Sequence, residues 1–178
     1  MIDLQKFREG AFKQDRIGYA LRGENPTMIT RLNSGFVFLM DIQFLPGWCV
    51  LTAYPQVFDL HSLPFDKRNE FLTDMQILGE ALEAVTGPVR MNYSILGNTD
   101  NYLHAHVCPR YAWEDPDRLR KPAWNYPDSF WQSPEYALNE SHVELAEKLR
   151  LKLDELRTRY RIEARENPRL EPRDESAR

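Results

Sequence analysis

Two histidines stand two residues apart in the segment Tyr102-Leu103-His104-Ala105-His106-Val107-Cys108-Pro109-Arg110. Imidazole offers both a nucleophilic lone pair and a transferable proton near neutral pH. Three chemistries fit such a pair. The plainest is none: two polar residues on the solvent side of a strand. The second is metal binding, with both rings on one ion and Cys108 on the same side. Zinc would then need a third and usually a fourth ligand. The remaining histidines, His61 and His142, fall after a strand and at the start of a distant helix, and no HExxH or carboxylate cluster supports a metal. The third is attack on phosphorus. A neutral ring nitrogen can form a covalent nucleotidyl-histidine that water then resolves, while a second imidazole assists the phosphate or the leaving group.

The segment alternates in polarity with the period of a strand. Leu103, Ala105 and Val107 have one parity and face a core; Tyr102, His104, His106 and Cys108 have the other. Both imidazoles are therefore expected on an exposed face, roughly 7 Å apart along the strand. Residues 91–96 form the preceding strand, and Gly97-Asn98-Thr99-Asp100-Asn101 is turn chemistry, so the two strands make a hairpin. Donors in that turn could hold phosphate oxygens.

Other elements frame the hairpin. Gly35–Met40 is rich in β-formers, Pro46-Gly47 is a turn signal, and Trp48–Tyr54 returns as an antiparallel partner. Pro64–Thr86 is the clearest helix, with Phe71, Met75, Leu78, Leu82 and Val85 spaced by three and four and Gly87-Pro88 as its stop. Residues 1–34 are weakly periodic and suggest a short helix or loop with an edge strand. After Arg110, six large rings from Trp113 to Tyr136 lie among four prolines. That composition predicts an irregular strap laid over the domain, because so many rings are costly to leave in water. A final helix is expected from Ser141-His142-Val143-Glu144, which has capping-box spacing, burying Leu145, Leu149, Leu153, Leu156 and Tyr160. The pattern is α+β: an antiparallel sheet with a long packed helix, then the strap and a second helix. Residues 1–112 are expected to form the domain, with its core at 35–111, 113–165 to pack on it, and 166–178 to be a charged, flexible tail.

A net charge of -4 argues against a large nucleic-acid footprint. Its start lacks the apolar stretch of a signal peptide, and no apolar run approaches a bilayer span, so no membrane partner is expected. Cys49 and Cys108 make no CxxC motif or disulfide framework, which suits a reducing cytoplasm.

Met91-Asn92-Tyr93-Ser94-Ile95-Leu96-Gly97-Asn98, a short turn, then Leu103 through Tyr111 resembles the histidine triad (HIT) superfamily. Asp41 and Pro46–Leu51 look like that family's paired strands, and the 64–86 helix falls where the family has one. The likeness spans about 35–111 and is nearest to bacterial members similar to the diadenosine-polyphosphate hydrolase branch. The family pattern is His-φ-His-φ-His-φ-φ (φ apolar), often followed by Pro-Arg. Pro109-Arg110 sets the register: His106 matches the third histidine, His104 the middle one, and Tyr102 replaces the first. The resemblance implies His104 as nucleophile and His106 as phosphate or leaving-group assistant. It places Asp41, Asn92, Asn98, Thr99 and Tyr102 at the substrate, with Asp41 as a ribose-hydroxyl acceptor. It further implies a homodimer that hydrolyses or transfers at the α-phosphate of a nucleotide. Dinucleoside polyphosphates and nucleoside phosphoramidates are the expected substrates. No cofactor is required beyond a divalent cation accompanying the substrate. Tyr102 is expected to alter rate or substrate, because a phenol does not become cationic near neutral pH. The alternative is a non-catalytic nucleotide-binding protein with a degenerate triad.

Overall fold

The structure, a computed structural model, describes residues 2–160; the expected 166–178 tail and the end of the 113–165 segment lie outside the described residues. The chain opens with helix α1 (Leu4–Glu9), a 3₁₀ turn and helix α2 (Arg16–Leu21). Strands β1 (Met28–Arg31), β2 (Gly35–Leu39) and β3 (Cys49–Ala53) follow, then helix α3 (Phe65–Thr86) and the hairpin of β4 (Arg90–Ser94) and β5 (His104–Arg110). Short helices α4 (Pro116–Leu119) and α5 (Asp128–Gln132) lie in the strap, and α6 (Glu140–Arg159) ends the described chain. The five strands form one antiparallel sheet in the order β1-β2-β3-β5-β4.

Strand parity sorts the sheet into two faces. Val37 pairs with Leu51 and Leu51 with Ala105, all fully buried beneath α3 and α6. Phe71, Leu78 and Leu82 of α3 and Leu149, Leu153 and Leu156 of α6 complete that core. Leu145 is only half-buried, and the expected burial of Tyr160 is corrected: it is exposed, its hydroxyl donating to Glu80. The helix carrying these residues starts one residue earlier than its sequence suggests. Asn139 caps it, and His142 closes the capping box by accepting the Asn139 amide on Nδ1 at 3.0 Å. Gly87 stops α3 at φ 61°, a conformation that favours glycine.

The opposite face carries Phe36, Phe38, Val50, Thr52, His104 and His106. Two separate covers lie over it. Ile17 and Ala20 of α2 pack with Met28, Phe36 and Phe38 at the β1–β2 end. The strap packs Tyr126, Phe130, Trp131 and Tyr136 around Phe44 and Trp48 at the other. This explains why all five residues of β2 are buried without alternation: the strand is covered on both sides. The histidines stand between the two covers.

Candidate active site

β5 fixes both histidines by pairing on each side. His104 lies opposite Thr52 of β3, and His106 lies between Val50 of β3 and Ser94 of β4. The ring centroids are 5.1 Å apart at 75°. The expected exposed face is corrected: His104 is only 6% exposed and His106 is half-buried, because Trp124 of the strap stands over His106 and the Tyr102 ring packs beside His104 on a face that strand parity alone leaves open. The β4–β5 connection is also longer than the five-residue turn of the sequence pattern, running from 95 to 103.

His104 Nδ1 sits 2.8 Å from the backbone carbonyl of Tyr102. A carbonyl only accepts, so Nδ1 carries the proton and Nε2 keeps its lone pair. His104 lines a cavity of about 170 Å³ with His106, Tyr102, Thr52, Asp41 and Arg16. A ring held in this orientation, with Nε2 free, has the arrangement an imidazole nucleophile needs.

His106 is edge-on to Trp124 at 4.7 Å and to Trp48 at 6.0 Å. Burial among these rings, and next the charge His104 can carry, push its pKa from 6.5 down to about 4. At neutral pH it is uncharged and offers one N–H. Its Nδ1 and the indole nitrogen of the fully buried Trp48 have no hydrogen-bond partner among the described residues.

The substrate residues expected from sequence divide. Asp41 and Tyr102 do line the His104 cavity. Both Asp41 oxygens already accept from Arg16, at 3.0 and 2.7 Å, so a ribose diol would have to share them. Tyr102 is half-buried, and burial followed by the neighbouring Asp100 carboxylate raises its pKa. Asn92 belongs to a different space, a groove on the strap side of His106. Asn98 and Thr99 line neither; they are exposed in the 95–103 connection, whose bends carry them away from the rings. Arg16 was missed, because no spacing rule links it to a residue 25 positions later. Among the described residues no group of three His, Cys, Asp or Glu could hold a metal ion. Cys49 and Cys108 are free, buried thiols whose pKa values burial raises, which leaves them inert at neutral pH.

The strap is tied down by a buried ion pair. Arg110 donates to Glu114 at 2.7 Å, to the Asn92 side chain at 3.0 Å, and to the carbonyls of Arg118 and Lys121. Burial pushes the Glu114 carboxyl up, but donation by Arg110, the Tyr126 hydroxyl and the Tyr111 amide outweighs it and holds the group low. Arg110 thus ties the end of β5 to the strap. Trp124 stacks on Trp131 at 5.6 Å and 4°, completing the roof over His106.

Several solved structures share this architecture. A histidine triad protein from Bradyrhizobium japonicum superposes with a TM-score of 0.61 at 22% identity, covering 71% of this chain and 89% of its own. One from Sinorhizobium meliloti gives 0.60 at 22%, covering 70% and 87%. A hypothetical histidine triad nucleotide-binding protein from Sulfolobus tokodaii gives 0.55 at 12%, covering 74% and 85%. No family model and no curated protein matches the chain. The fold is therefore the α+β fold of the histidine triad proteins, as the sequence pattern of β5 led one to expect.

Proposed function

We propose that the protein is a histidine triad nucleotide hydrolase or nucleotidyl transferase in which His104 is the nucleophile. The observation that carries this is the Tyr102 carbonyl on His104 Nδ1, which leaves Nε2 basic at the wall of a cavity. Nε2 attacks the α-phosphorus; the N–P bond forms as the bond to the leaving group breaks. The ring becomes cationic, and its Nδ1–H bond to the carbonyl stabilises that charge. Water then cleaves the N–P bond, releasing nucleoside monophosphate and restoring His104. His106, neutral at the working pH, donates its N–H to a phosphoryl or leaving oxygen. Asp41 accepts from the ribose alongside Arg16. Dinucleoside polyphosphates and nucleoside phosphoramidates are the substrate classes, with a divalent cation travelling on the phosphates. The reducing cytoplasm suits the two free thiols. No described helix is long and apolar enough to cross a membrane. We further propose a homodimer; β4 is a sheet edge flanked by exposed Val89, Tyr93 and Leu96, and light scattering would test it.

Intact mass spectrometry of wild type and His104→Ala, mixed briefly with adenylate donors and quenched at alkaline pH, tests the mechanism. A nucleotide-sized adduct on wild type alone supports it. Binding of nucleotide with no adduct and no turnover favours the second reading, a non-catalytic nucleotide-binding protein. The observation favouring that reading is Tyr102, which puts a phenol where the family pattern has its first imidazole.

A further inference from the structure

His106 belongs to two spaces at once. On one side is the His104 cavity. On the other is a groove of about 680 Å³ between β4, the end of β5 and the strap. The two differ sharply in charge. The His104 cavity holds Asp41 and Asp100 against the single cation Arg16, which is already paired. The groove is lined by four cations and no carboxylate, in a chain whose net charge is -4.

Three of these four cations are poorly compensated. Arg110 is paired with Glu114, which does not line the groove. Arg90 and Lys121 have no ion pair among the described residues. Arg120 reaches Asp117 only at 4.0 Å, with both side chains at least 80% exposed. Such a contact contributes little. A concave patch of uncompensated positive charge draws anions.

Neutral donors line the same groove. Asn92 accepts from Arg110 on Oδ1, so its amide N–H groups remain for a ligand. Ser94 stands directly across from His106 and supplies a hydroxyl. From Ser94 back to Arg90 the groove follows β4 for about 13 Å. That length suits a linear oligophosphate better than a single phosphate.

We propose that this groove is an oligophosphate subsite that holds the leaving group of the His104 reaction; the catalytic half rests on the function proposed above, the binding half does not. As Nε2 bonds to the α-phosphorus, the P–O bond to the leaving chain breaks. The electron pair stays on the departing oxygen, so the leaving oligophosphate gains negative charge beside His106 and the cations. The nucleoside side of the substrate stays in the His104 cavity. An amine leaving group, as in a phosphoramidate, draws no such benefit. Arg90, Arg120 and Lys121 are therefore specificity determinants. Two of them are contributed by the strap.

Calorimetric titration with inorganic tripolyphosphate at low salt tests the subsite without turnover. The variants are Arg90→Gln and the double Arg120→Gln/Lys121→Gln. All three side chains lie at or near the surface, and the Lys121 carbonyl that receives Arg110 is kept. Wild type is expected to bind, and the double variant to bind roughly tenfold more weakly, with affinity falling as salt rises. Unchanged binding in both variants, or no binding to folded wild type, overturns the proposal. So does displacement of tripolyphosphate by a single-stranded oligonucleotide at equal or lower concentration, which would make the groove a backbone site. In turnover assays the double variant should lower the ratio of kcat/KM for diadenosine polyphosphate over adenosine phosphoramidate by about tenfold. An unchanged ratio removes the leaving-group role. If wild type turns over neither substrate, the hydrolase function fails, while weaker tripolyphosphate binding by the double variant still supports the groove.

Discussion

His106 should remain uncharged down to about pH 4, and the titration of this one ring probes the roof built over it. Folding takes its pKa from 6.5 to about 4 by burying it beneath Trp48 and Trp124 beside His104. At 1.36 kcal/mol per unit, that depression corresponds to about 3 kcal/mol. Between the two values the unfolded chain binds the proton and the folded chain does not. Stability therefore rises with pH across this window. The contribution is whole above pH 6.5 and is eroded by about 3 kcal/mol as pH falls to 4. His142, with its pKa lowered by burial, and Asp74, with its pKa raised by burial, also shape the pH profile. They cancel when wild type is compared with His106→Gln. The assays are side-chain NMR titration of the imidazole and denaturant unfolding of both proteins from pH 4 to 8. Trp124→Ala opens the roof and should return the His106 pKa toward 6.5, shrinking the pH-dependent loss. An apparent pKa of about 6 or above in the intact protein would refute the reasoning. So would a Trp124→Ala variant whose His106 still titrates near 4.

Three further perturbations have defined outcomes. Glu114→Gln leaves the buried Arg110 guanidinium without its counter-charge and should cost about 3–5 kcal/mol, read by urea unfolding, with strap tryptophan fluorescence changing first. Gly35→Ala puts a Cβ 1.8 Å from the Thr52 carbonyl oxygen, so β2 must move away from β3; a loss of about 2 kcal/mol in thermal unfolding is expected, and a neutral result would contradict the tight approach. Asp41→Asn removes the charge that Arg16 grips with two hydrogen bonds; about 1 kcal/mol of stability should go, and KM for a nucleotide substrate should rise more than kcat falls, whereas an equal fall in kcat and kcat/KM would place Asp41 in the chemical step.

Much of this protein is local in sequence. The alternation through β5, the three-and-four spacing of α3 and the Pro46-Gly47 and Gly87-Pro88 stops are written in neighbouring residues, because strand and helix periods act over a few positions. The His-x-His pair and the ring-rich strap were equally legible, since an aromatic ring must find cover wherever it stands. Boundaries slipped for two reasons: α6 starts at Glu140 because Asn139 and His142 satisfy each other in a local cap with an imidazole where a Glu or Gln is usual, and β4 ends at Ser94 where its pairing with β5 ends.

The sequence by itself determined that two imidazoles share one side of a strand whose other side is core. Only the tertiary structure decided what covers that side. α2 and the strap arrive from opposite ends of the chain and leave the rings between them, which is why an expected exposed face is instead a roofed site with a neutral His106. The Arg16–Asp41 pair, the Arg110–Glu114 anchor that seats the strap, and the gathering of Arg90, Arg120 and Lys121 in one groove are likewise products of folding. Charge and burial at a site depend on which segments meet there, and chain-distant meetings leave no period in the sequence to read.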